Sequence, residues 1–146
     1  MSEKNNEALV RRLFDEVWNK GNVKPLDEML TTDCVRHDPV DPGRGIESAR
    51  STVRKYRTAF PDCRLDIEEV MSIGDRVVAR WRYSGTQRAP LEGIPATGKH
   101  VSGSGISIYR FAGDKIQEEF ADWDALGLMQ QLGVVTLPGK TSRAGL

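Results

Sequence analysis

Cysteine is scarce in this chain: its 146 residues hold two, Cys34 and Cys63. They lie far apart and match no metal or redox spacing, which argues against a disulfide framework and fits a reducing compartment. Neither has a base beside it in sequence, so thiol catalysis finds no support. Charge of one sign is lacking too. Lys plus Arg and Asp plus Glu each number 21, so no bulk field draws the chain to nucleic acid or an anionic membrane. The one basic cluster, Arg50, Arg54, Lys55 and Arg57, falls on a single helix and reads as a solvated face. No apolar run approaches the roughly 18 residues of a membrane helix. The N-terminus, MSEKNNEALVRRLF, lacks the apolar run of a signal peptide. A cytoplasmic, soluble protein is the resulting expectation. There is no repeat, low-complexity segment or linker, and the length suits one domain over residues 1–146, with a core of about 6–133 and a polar tail of about 138–146.

What is present changes period halfway along. Leu9, Leu13, Phe14, Val17 and Trp18 recur at helical spacing over residues 6–20, and Gly21 follows as a stop. Pro25 opens a short second helix, PLDEML. The stretch TTDCVRHDPVDPGRG reads as extended and turn-rich. A third helix starts near Ile46, carries Ile46, Ala49, Val53, Tyr56 and Phe60 as one stripe, and ends at Pro61. Then Leu65 and Ile67 alternate with charge, and Ile73-Gly74-Asp75-Arg76 is a tight turn. Val77, Ala79, Trp81 and Tyr83 alternate with a largely basic set that includes Arg80 and Arg82. Residues 84–99 read as loop, 100–111 as a long strand, 112–114 as a turn and 115–123 as the return strand. A short helix from Asp124 to Leu132 closes on Gly133. Helices first and an antiparallel meander after them predict an α+β domain, its helices packed on a strongly bent sheet with a pocket between.

Residues 93–133, GIPATGKHVSGSGISIYRFAGDKIQEEFADWDALGLMQQLG, resemble the C-terminal half of the SnoaL-like polyketide cyclases. The likeness lies in GIPATGK, the Ile-rich strand, the hairpin, Glu118 and Phe120 followed by Asp124, and the Gln131-Leu132-Gly133 helix end. AFPD at 59–62 and His37 extend it upstream, over most of residues 8–133. Phe120 stands where the family has Trp, and Asp114-Lys115 where it has Gly-Lys. The strand before Asp124 carries Ser102, Ser104, Ser107, Tyr109 and Arg110, with no histidine such as anthracycline cyclases place there. The resemblance implies the cone-shaped nuclear transport factor 2-like fold with an apolar pocket.

Asp124 is the first candidate for chemistry. Ile116, Glu118, Phe120, Asp122 and Asp124 share a parity, so they are expected on one face that Ile116 and Phe120 mark as apolar. A desolvated carboxylate there suits a general base next to a carbonyl. The structural alternative is that Asp124 caps the following helix. The resemblance favours catalysis, and it places His37 as a partner that orients Asp124 or donates to a carbonyl; otherwise His37 bonds its own loop. Phe14, Trp18, Phe60, Trp81, Tyr83, Ser104 and Phe120 are candidate pocket residues, with ordinary core the alternative for each aromatic. Glu118 is a second cavity carboxylate or a salt-bridge partner. His37, His100 and a carboxylate lack ligand spacing, so no metal is expected. An arginine between two aspartates would indicate an epoxide hydrolase, but spacing pairs neither Arg80 nor Arg82 with such partners.

The resulting expectation is cofactor-free acid/base chemistry on a small hydrophobic carbonyl compound, such as aldol ring closure. The alternatives are an isomerase or hydrolase on the same fold, or a binder without turnover. Self-association through the sheet into a dimer or tetramer is expected in any case.

Overall fold

The computed structural model describes residues 2–138; beyond residue 138 the expected polar tail lies outside the described residues. Helix α1, Glu3–Arg12, is capped by Ser2, whose hydroxyl accepts from the Asn5 N–H at 3.1 Å. It continues without a break as a π-helix over Leu13–Asn19. This keeps Val10, Leu13, Phe14 and Val17 on one buried face. Helix α2 spans Leu26–Met29, α3 Ile46–Ala59 and α4 Ala125–Gln131. Six strands, β1 Leu30–His37, β2 Gly43–Arg44, β3 Arg64–Ile73, β4 Arg76–Thr86, β5 His100–Ala112 and β6 Lys115–Trp123, form one sheet in the order β2-β1-β6-β5-β4-β3. The sheet curls around the helices without closing, and α+β is the class it shows. No helix among the described residues is long and apolar enough to cross a membrane.

Two expectations change. The second helix stops at Met29, and the stretch expected to be extended and turn-rich forms β1, which starts at Leu30 and buries Leu30 and Cys34. The sheet is also mixed rather than antiparallel, because β1 runs parallel to β6 while the other neighbours are antiparallel. The β3–β6 meander leaves one side of β6 unpaired, and β1 covers that edge.

The side-chain pattern of β6 decides what faces inward. Arg110 pairs with Glu118, but Phe111 pairs with Ile116, which leaves Gln117 as an extra residue. This β-bulge breaks the alternation. Ile116 points into the core, and after the bulge Glu119, Ala121 and Trp123 take the inner face. The single face expected for Ile116 through Asp124 is therefore corrected: Glu118, Phe120 and Asp122 pair with Arg110, Ile108 and Ile106 on the outside.

Strand β5 makes room for rings on its inner face. Trp81 pairs across strands with Gly105 and Tyr83 with Gly103. A Cβ on Gly105 would sit 2.5 Å from Trp81 Cζ2 and 2.8 Å from Trp123 Cβ. One on Gly103 would sit 2.5 Å from Tyr83 Cε2. The indoles and the phenol thus lie directly against bare backbone. Gly105→Ala should overpack this contact and lower stability by about 1–3 kcal/mol, measured by denaturant unfolding. An unchanged midpoint would mean that Trp81 has space to move.

Candidate active site

The concave face of the sheet, the N-terminal helix and α3 enclose a cavity of about 120 Å³. Its walls are largely aromatic. Phe14 and Trp18 enter from the N-terminal helix, Tyr56 and Phe60 from α3 and its end, Trp81 and Tyr83 from β4, and Trp123 from β6. Neighbouring rings meet edge-on: Phe14 on Trp81 at 6.4 Å, Tyr83 on Trp123 at 6.0 Å and Tyr56 on Trp123 at 6.3 Å.

Polar groups gather on the floor. Arg36 and Glu119 are register partners on the parallel strands β1 and β6, so their side chains project together into the cavity. Burial, as the first cause, pushes the Glu119 carboxyl up from 4.5 to about 7; Asp38 adds to the rise, while Arg36 and hydrogen bonds from Tyr109 and Ser107 oppose it. Burial likewise holds the Tyr109 phenol well above its ordinary value. Ser107 Oγ in turn accepts from Trp81 Nε1 at 3.1 Å. Asp38 borders the cavity beside Trp123, whose Nε1 donates to it at 3.2 Å. Its Oδ1 also accepts from the backbone N–H groups of Val40 and Asp41 at 2.8 and 2.9 Å. An arginine beside two carboxylates does occur at Arg36, near Glu119 and 3.8 Å from Asp41 Oδ2.

The residues expected at the site divide. Phe14, Trp18, Phe60, Trp81 and Tyr83 all line the cavity. Ser104 does not: odd positions of β5 point inward, so Ser104 is exposed and Ser107 is the serine at the floor. Phe120 lies on the outer face, stacked at 4.7 Å on His37. His37 is half exposed on that same face, where its Nε2 lies 2.7 Å from Glu118 Oε2. Arg110 donates to the other oxygen of Glu118 at 3.0 Å, so Glu118 is an ion-pair partner on the outer face and does not line the cavity. His37 thus sits on the outer face with Glu118 and Phe120. Asp124 is the N-cap of α4 and accepts from the Gly127 N–H at 2.8 Å; it is not among the residues lining the cavity. His100 Nδ1 lies 3.0 Å from Thr86 Oγ1, which donates to Asp62. Cys63 borders the cavity and Cys34 is buried behind it, each thiol pushed up by burial. Among the described residues no group of His, Cys, Asp and Glu could hold a metal ion.

Sequence reasoning missed Arg36, Asp38, Ser107, Tyr109, Glu119 and Trp123. For β5 a signal existed, since glycines at 103 and 105 opposite Tyr83 and Trp81 mark the inner parity that Ser107 and Tyr109 share. For Glu119 none did, because no residue type announces the Gln117 bulge.

The structure is a cone-shaped α+β domain whose curled sheet holds an aromatic cavity with an acid and a guanidinium at its floor. The chain belongs to the SnoaL-like polyketide cyclase family, whose model matches residues 8–132. It is 33% identical over 132 residues to the aklanonic acid methyl ester cyclase DnrD of Streptomyces peucetius, covering 86% of this chain and 88% of that protein. Among solved structures it resembles TsrD of Streptomyces laurentii, with TM-score 0.84 and 29% identity over 92% of this chain and 99% of that one. The SnoaL-like protein of Jannaschia sp. CCS1 also gives TM-score 0.84, with 27% identity over 92% and 95% of the two chains. These likenesses extend the cone to its nuclear transport factor 2-like form.

The raised Glu119 carboxyl has a consequence for stability. The unfolded chain ionises it near 4.5 and the folded chain near 7, so its contribution is fully present below about pH 4.5 and lost as pH rises through about 7. At about 1.4 kcal/mol per pH unit, the rise from 4.5 to about 7 amounts to about 3 kcal/mol. Glu119→Gln should therefore be more stable than wild type at about pH 8, by up to about 3 kcal/mol, with the gap closing toward about pH 4.5. Urea unfolding at both pH values measures it, and a gap independent of pH would show that Glu119 ionises without cost.

Proposed function

We propose that the protein catalyses acid/base chemistry on a small hydrophobic carbonyl compound, with intramolecular aldol ring closure as the reaction. One observation carries this reading: a carboxyl with pKa about 7 sits at the floor of an aromatic cavity, beside an arginine. Glu119 takes the proton from a carbon next to a carbonyl. The electron pair left behind becomes an enolate, and its carbon bonds a second carbonyl carbon of the same molecule. The new alkoxide recovers the proton from Glu119. The aromatic walls fold a flat substrate so that the two carbons meet, and this proximity supplies much of the rate. The substrate's own carbonyls delocalise the charge, so the reading calls for no cofactor.

The family resemblance puts the acid/base on Asp124 instead, at the start of α4. The two assignments separate cleanly, because Asn caps a helix about as well as Asp and Asp124→Asn should fold normally. With a 1,3-diketone that can close a ring, Glu119→Gln should lose about 100-fold or more in kcat, since a general base contributes about that much. Wild-type kcat should rise with pH through about 7 as Glu119 ionises. Full activity in Glu119→Gln with loss in Asp124→Asn would transfer the role to Asp124.

A second reading, hydrolysis of an epoxide, is favoured by Arg36 beside the carboxylates of Asp41 and Glu119. Turnover of styrene oxide but not of diketones would select it.

We also propose that a second copy of the chain covers the outer sheet face. The register lines up Met71, Val78, Ile108, Phe120 and His37 across β3, β4, β5, β6 and β1 as a mainly apolar row, with Ile106 beside it 48% exposed. Sedimentation should show a dimer or larger species that Ile108→Glu dissociates. A monomeric wild type would remove this proposal.

A further inference from the structure

We propose that Arg36 makes the cavity floor a receptor for a planar oxyanion, either an enolate or the carboxylate of a conjugated acid. The inference extends the acid/base reading by naming what its site holds, and it stands on how the guanidinium is bound.

The direct hydrogen bonds of Arg36 all go to neutral oxygens. Nε and Nη2 donate to the Asp41 carbonyl at 3.1 and 2.7 Å, and Nη2 also donates to Thr52 Oγ1 at 2.7 Å. These bonds fix the plane of the group without neutralising it. The nearby aspartates have other partners besides Arg36. Asp41 Oδ2 accepts from Thr52 Oγ1 at 2.6 Å and lies 3.0 Å from Lys55 Nζ, and 3.8 Å from Arg36. Asp38 is held by Trp123 and two backbone N–H groups. Nη1 makes no hydrogen bond among the described residues, although the side chain is only 13% exposed. Arg36 borders the aromatic cavity and also a smaller chamber behind it, lined by Leu13, Leu26, Cys34 and Val53. A guanidinium oriented from one edge, with donors left over in a low-dielectric cavity, is arranged to receive a flat anion. Its position beside Glu119 is where negative charge develops when Glu119 removes a proton, so the same contact stabilises the enolate.

Benzoate and benzyl alcohol, matched in ring and nearly in size, test this by quenching of tryptophan fluorescence. The cavity is close to the roughly 150 Å³ that accepts one benzene ring. At about pH 6 benzoate should bind about tenfold more tightly than the alcohol, the preference expected of a charged hydrogen bond. Benzoate affinity should fall toward about pH 8, as Glu119 loses its proton, while the alcohol is unaffected. Arg36→Met should remove the preference and Arg36→Lys keep part of it. Glu119→Gln should keep the preference and lose its pH dependence. Equal affinities in wild type, or a preference that survives in Arg36→Met, would overturn the proposal. If Arg36→Met does not fold, the wild-type pair and Arg36→Lys decide the matter. Binding is read without turnover, so a benzoate preference with full activity in Glu119→Gln would sink the acid/base reading and leave the receptor standing.

Discussion

The extra residue at Gln117 sets which side chains of β6 enter the cavity, and the rest of the site depends on it. Strand side chains alternate strictly, so a one-residue offset exchanges the two faces of everything beyond it. With the bulge, Ile116 stays in the core while Glu119, Ala121 and Trp123 also face inward. Without it, Glu118 and Phe120 would fill those places. The outer face gains as well. Glu118 meets His37 and Arg110 there; the hydrogen bond with His37, as the larger cause, and the Arg110 guanidinium hold its carboxyl below the usual glutamate range. Two adjacent glutamates thus have opposite environments, one facing the cavity and raised, the other on the outer face, paired and lowered.

The cavity exists because the core is deliberately incomplete. Large rings on β4 lie over glycines on β5, which turns the area normally filled by β5 side chains into contact surface for Trp81 and Tyr83. The rings then form walls instead of filling the centre. A core that keeps such a space gives up packing contacts, and holding an ionisable Glu119 inside it gives up more. Both costs fall at the same place, as is common where a site has been favoured over stability.

Polar clamps hold the walls to one another. Gln131 Oε1 accepts from the Ser102 N–H at 2.9 Å and its Nε2 donates to the Ser102 carbonyl at 2.8 Å, so the amide copies a strand partner and seats α4 on β5. Gln87, fully buried, accepts from the N–H and hydroxyl of Thr97 and donates to the Ile94 carbonyl, which organises the 87–99 loop. Lys55 on α3 bridges Asp41 on one loop and Glu92 on another. Of these contacts, the one at Lys55 reaches the cavity floor through Asp41, Thr52 and Arg36.

Much of the architecture is determined by the sequence alone. Helical spacing located the N-terminal helix and α3, with Gly21 and Pro61 as stops, and alternation located β4, β5 and β6. The ring-bearing positions Phe14, Trp18, Phe60, Trp81 and Tyr83 were legible for the same reason, since apolar periodicity marks the buried face. The motif around residues 93–133 carried the family. Only the tertiary structure decided the chemistry at the floor. The pairing of Arg36 with Glu119 joins strands 83 residues apart through a parallel register, and no local pattern encodes it. The Gln117 bulge moved the inward carboxylate from the expected parity to Glu119. Asp124 is bound at the head of α4, a role any helix start can ask of an aspartate. Local periodicity reports which residues are buried; which polar groups are buried together is set by register, and register is settled only when the strands meet.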